Sequence, residues 1–132
     1  MSEKKDFTRF PPKYPIKIER VDERTLKLQN KVVYKAPAIS REYLACSDGV
    51  ILRLGMELDP PLDPCEYFNL IKVSSSGEFL WRLNPKNHGP KDYFVGLRHD
   101  HSEENFSANS GFGFYLEARY SDGEVVLREF VG

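Results

Sequence analysis

The sequence predicts an all-β fold: an antiparallel meander of about ten short strands that forms a sandwich or partly closed barrel, with little or no helix. Three observations carry this reading. The stretch Asn69 to Leu83 runs as strand, tight turn and strand, with Leu70, Ile71 and Val73 before Ser74-Ser75-Ser76-Gly77 and Phe79, Leu80 and Trp81 after it. Glycine supplies the left-handed conformation that a short hairpin loop needs, and serines suit the turn. The pattern recurs at Ser47-Asp48-Gly49 before Val50-Ile51-Leu52-Arg53 and at Ser121-Asp122-Gly123 before Val125-Val126-Leu127. Finally, apolar residues alternate with charged ones along most of the chain, which is strand periodicity.

Residues 1–14 come first and are polar, then aromatic and proline-rich. Phe7, Phe10, Pro11, Pro12 and Tyr14 stand there, and Pro15 follows. Adjacent prolines exclude helix. The segment is expected to be partly mobile at its start, with Phe7 and Phe10 as points that could pin it to a sheet. Residues 15–132 are expected to form a single domain. Ile16-Lys17-Ile18-Glu19-Arg20 alternates as a half-buried strand, residues 21–24 turn, and Leu26 and Leu28 alternate in a second strand. Gln29-Asn30-Lys31 then turns into Val32-Val33-Tyr34. Such close spacing is typical of all-β folds.

Glu42 to Cys46 and Val50 to Leu54 flank the Asp-Gly turn as a hairpin, and this is preferred to a short helix capped by Ser40. Met56 to Glu66 has three prolines, four acidic residues and no Lys or Arg. It reads as an exposed acidic loop, because prolines cannot sit in an interior strand. After the Trp81 hairpin come a turn-rich connection over 84–91, a strand over 92–98, a polar turn over 99–104 and a short strand over 105–109. A long strand is expected from Gly111 to Tyr120, with Phe112, Phe114, Leu116 and Ala118 on the core face. Glu124 to Val131 closes the last hairpin.

Composition bounds the function. At 132 residues with 40% hydrophobic content, the chain suits one domain with a real core. It holds no apolar run near the roughly 20 residues that span a membrane. The opening MSEKKDFTRF lacks a signal-peptide core, so a cytoplasmic protein is expected. Cys46 and Cys65 are too few for a disulfide framework or a cysteine zinc site and read as structural. Net charge is −1, but residues 1–35 carry ten Lys/Arg against five Asp/Glu, while residues 36–132 carry nine against fifteen. That balance argues against nucleic acid as a partner, since nucleic-acid binders present a basic face. The two halves could pair with each other, or the acidic half could meet a basic partner.

The segment Gly77-Glu78-Phe79-Leu80-Trp81-Arg82-Leu83 resembles the Gly-Lys/Glu-x-x-Trp signature of blades in quinoprotein-type β-propellers. The wider order, from Asn69 through Trp81, Asp92 and Tyr93 to Arg128-Glu129-Phe130-Val131, is similar to that of short bacterial all-β proteins with propeller-blade-like hairpins. The likeness covers residues 67–131. It implies an antiparallel β fold and no cofactor, because blade signatures are structural. A complete propeller needs at least four blades of about 40 residues, which excludes one from this chain alone.

Chemistry-bearing residues are sparse. His99 and His101 at i, i+2 would share one face of a strand beside Glu103 and Glu104, making them weak metal-ligand candidates. Set against this is a solvated hairpin tip, the preferred reading, because a metal site needs three or four ligands. His88 could be oriented by Asp92 as a general base, but no nucleophile elbow accompanies it. Gly111-Phe112-Gly113 has no helix after it to cradle a phosphate, so a bulge or close packing against an aromatic ring is expected. The feature best suited to interaction is acidic: Glu57, Asp59, Asp63 and Glu66 in the proline-rich loop, joined by Asp100, Glu103 and Glu104. Carboxylates arrayed this way steer a basic partner electrostatically. The expectation is therefore a protein-binding domain without catalysis or cofactor, specifically an immunity-type inhibitor that neutralises a basic bacterial toxin domain. The alternatives are a homo-oligomeric structural β module and, behind it, a metal-binding enzyme using His99 and His101.

Overall fold

A computed structural model describes residues 15–55, 69–83, 93–99 and 103–131. Eleven strands form three antiparallel sheets that do not close into a barrel. The first sheet has β1 (Ile18–Arg20), β2 (Thr25–Leu28) and β3 (Val32–Lys35) in sequence order. Its β2–β3 turn has Gln29 and Asn30 both at positive φ, 54° and 59°. Two left-handed residues in succession give the twist that suits a two-residue hairpin.

The second sheet has β4 (Ser40–Ala45), β5 (Gly49–Leu54), β6 (Leu70–Ser74) and β7 (Phe79–Arg82) in that order. Strand β4 replaces the helix that Ser40 could have capped, because Leu44 and Ala45 pair with Ile51 and Val50 in the hairpin register. The third sheet has β8 (Phe94–His99), β9 (Asn105–Ser110), β10 (Phe114–Arg119) and β11 (Val125–Phe130), with β8 and β11 at its edges. Among the described residues, no helix is long and apolar enough to cross a membrane.

Side-chain alternation stacks the sheets. In β5 and β6, Val50, Leu52, Leu54, Ile71 and Val73 point one way and pack with Leu26 and Leu28 of the first sheet. Ile51 and Leu70 point the other way and join Trp81, Leu83, Phe94, Phe106, Ala108 and Leu116 against the third sheet. The second sheet is thus buried on both faces, a sandwich with an extra three-stranded layer. Near-continuous apolar runs such as Val50-Ile51-Leu52 are what two buried faces demand. Asn69, buried before β6, ties two sheets together. Its amide nitrogen donates to the Leu54 and Phe94 carbonyls at 2.8 and 3.0 Å, and its oxygen accepts from the Phe94 N–H at 2.7 Å.

One expected strand is corrected. The Gly111–Tyr120 strand starts at Phe114, and residues 111–113 form the β9–β10 turn. Phe112, expected on the core face, is 49% exposed. Gly113 takes φ 94°, and its N–H donates to the Ser110 carbonyl at 3.2 Å, closing the turn. The expected close packing against an aromatic ring does occur, because a Cβ on Gly111 would lie 3.1 Å from the Tyr93 ring.

Candidate functional site

Strand β6 carries one charged residue inward. Lys72 alternates with Ile71 and Val73, so it faces the third sheet, opposite Trp81 in the register. Only 1% of its surface is exposed. A buried ammonium is costly unless it is paired and hydrogen-bonded, and Lys72 meets both needs. Its Nζ donates to the Tyr120 carbonyl at 2.7 Å and pairs with Asp48 Oδ1 at 2.9 Å. The Trp81 Nε1–H donates to the same carbonyl at 3.3 Å. The β6–β7 register shifts between Lys72 and Val73, so a bulge sits beside the lysine. Bulges commonly re-aim side chains next to sites.

Around this anchor lies a recess of about 360 Å³ where the ends of two sheets meet. From the second sheet come Ser47 and Asp48 of the β4–β5 turn, with the Asp48 carbonyl accepting from the Ser75 N–H at 2.9 Å. From the third sheet come Glu103 and Glu104, which precede β9, and residues 119–121, which follow β10. The Tyr120 N–H donates to the Glu104 carbonyl at 2.9 Å, which fixes the two walls of this side together. Tyr120 is fixed in turn: its ring lies 5.5 Å from Phe106, which stacks on Trp81 at 5.8 Å. Its hydroxyl hydrogen-bonds His99 Nδ1 at 2.6 Å.

The electrostatics follow from burial and pairing. Burial lowers the His99 pKa from the ordinary imidazole value. Burial pushes the Cys46 thiol up to about 12, against a smaller opposing effect of the Lys72 charge. A thiol this basic stays protonated at neutral pH, so Cys46 acts in packing and not as a nucleophile. Arg119, on the recess wall, is held bidentately by Asp122 at 3.1 and 2.7 Å. Hydrogen bonding to each other raises the Arg119 pKa and lowers that of Asp122.

Of the residues expected to bind a partner, Glu103 and Glu104 line this recess, both exposed. Glu57, Asp59, Asp63, Glu66 and Asp100 lie outside the described residues, as do His101, His88 and Cys65. His99 ends β8 half-buried on the Tyr120 hydroxyl. No group of three or more His, Cys, Asp or Glu that could hold a metal ion occurs among the described residues. Sequence reasoning missed Lys72 and Asp48. The signal for the first was present, since a lone lysine within Leu70-Ile71-Lys72-Val73 interrupts an apolar run. Asp48 looked like turn chemistry alone. No family model, curated protein or solved structure matches the chain.

Proposed function

We propose that the chain is a non-catalytic, cytoplasmic protein-binding domain that engages a basic partner through an acidic surface, as an immunity-type inhibitor of a bacterial toxin domain. One observation carries the reading: carboxylates from two different sheets, Asp48 from one and Glu103 and Glu104 from the other, converge on a single recess. Its floor is rigid, because Lys72 is committed to Asp48 and to the Tyr120 carbonyl. A preorganised acidic recess accepts a guanidinium or ammonium group with little ordering cost. Glu57, Asp59, Asp63, Glu66 and Asp100 extend the same sign of charge along the sequence and would act as a steering field around that contact. Inhibition would then consist of covering a basic active-site cleft.

The test begins with affinity capture of the chain from its host and mass spectrometry of what binds. The association rate of the captured partner is then measured for the full chain and for a Glu103→Lys/Glu104→Lys variant. Both glutamates are exposed, so the fold should survive the change. The variant is expected to associate about tenfold more slowly at low salt, with the gap closing as salt is raised. An unchanged on-rate at low salt would remove the recess from the proposal.

A further inference from the structure

We infer that, in the free chain, the recess is occupied by the chain's own first fourteen residues, which a basic partner must displace. This rests on the reading of the recess as a site for basic groups.

The first observation is where the described chain begins. The Ile16 N–H donates to the Cys46 carbonyl at 2.8 Å, and Cys46 is followed directly by Ser47 and Asp48 of the recess wall. Residues 1–14 therefore join the domain at the end where the recess opens. Fourteen residues reach at most about 45 Å, far more than is needed to cross from there to Glu103 and Glu104.

The second observation is charge. Residues 1–14 carry Lys4, Lys5, Arg9 and Lys13 against Glu3 and Asp6, opposite in sign to the three recess carboxylates. A tether this short gives an effective concentration in the millimolar range, so a contact too weak to matter between molecules becomes populated within one. Pro11, Pro12 and Pro15 restrict the unbound chain and lower the entropy lost on docking. The consequence is a selectivity filter: a loosely basic protein would not displace the segment, whereas a partner with a large complementary surface would.

The experiment compares three full-length chains: the natural sequence, a Lys4→Gln/Lys5→Gln/Arg9→Gln/Lys13→Gln variant and a Glu103→Gln/Glu104→Gln variant. Each is titrated calorimetrically with a hexa-arginine peptide, and backbone amide spectra are recorded without peptide. The segment variant is expected to bind the peptide about tenfold more tightly at low salt, with the gain lost at high salt. Without peptide, its Ser47, Asp48, Glu103 and Glu104 amides should shift relative to the natural chain. Equal affinities and unshifted amides, with peptide binding still dependent on Glu103 and Glu104, would overturn the self-docking proposal alone. Peptide binding that ignores Glu103 and Glu104, or no binding by any chain, would overturn the recess reading and this inference with it. Amide shifts that appear only as the natural chain is concentrated would assign the docked segment to a second copy, and so overturn occupation within one molecule.

Discussion

Lys72 shows how one residue can carry both fold and site. Its four methylenes lie among the apolar side chains of β6, while its ammonium reaches the recess floor and joins two sheets through the Tyr120 carbonyl. Truncating Lys72 to Ala should cost about 3 kcal/mol, combining a cavity with the loss of a buried pairing. Lys72→Met should cost less, because it refills the volume, because Asp48 is 61% exposed and can rehydrate, and because Trp81 still donates to the Tyr120 carbonyl. Denaturant melts of the two variants would measure the difference. If Met were as damaging as Ala, the charge contacts and not the packing would dominate the position. This residue also marks the limit of reading the site from sequence. The alternation of β6 says which side Lys72 faces, but no local pattern says that Tyr120, forty-eight positions later, supplies its acceptor.

At the scale of elements, turn chemistry was the most legible part of the chain. Both Gly77 and Gly123 have the positive φ that their hairpins required, 88° and 71°. Their surroundings differ, and so should their tolerance. A Cβ on Gly77 would meet Val32 at 3.4 Å, an ordinary contact, so Gly77→Ala should cost only the left-handed backbone strain of about 1 kcal/mol. At Gly123 the same atom would lie 2.7 Å from the Trp81 ring. Gly123→Ala should therefore cost about 3 kcal/mol or more, because Trp81 is wedged on Phe106 and cannot retreat. Thermal unfolding would compare them, and equal losses would mean that the ring gives way. The segment Gly111-Phe112-Gly113 was misread for a related reason. Its alternation continues smoothly into Phe114 and Leu116, so periodicity alone cannot see that Gly113 turns the chain. The register Tyr115 with Asn109 makes the break plain.

On the scale of the whole molecule, the all-β architecture was legible and the stacking order was not. Period-two alternation identifies a buried face but is silent about what covers it. That β5 and β6 form the middle of three layers follows from contacts between segments distant in sequence: Leu26 and Leu28 on one side, Phe94 and Phe106 on the other. The middle position has a dynamic consequence. Opening β5 or β6 exposes two apolar faces and breaks pairing on both edges, whereas opening β1 or β11 breaks one edge and exposes little that is buried. Local opening free energies scale with buried contacts, so native-state hydrogen exchange should rank the amides. Those of β5 and β6 that are bonded within the sheet should be slowest and track global unfolding. Those of β9 and β10, central in the outer sheet, should come next, and those of β1 and β11 should exchange through cheaper local openings. Equal protection across all three sheets would mean that the layers open only as one unit, and the recess between the second and third sheets could not then yield independently of the core.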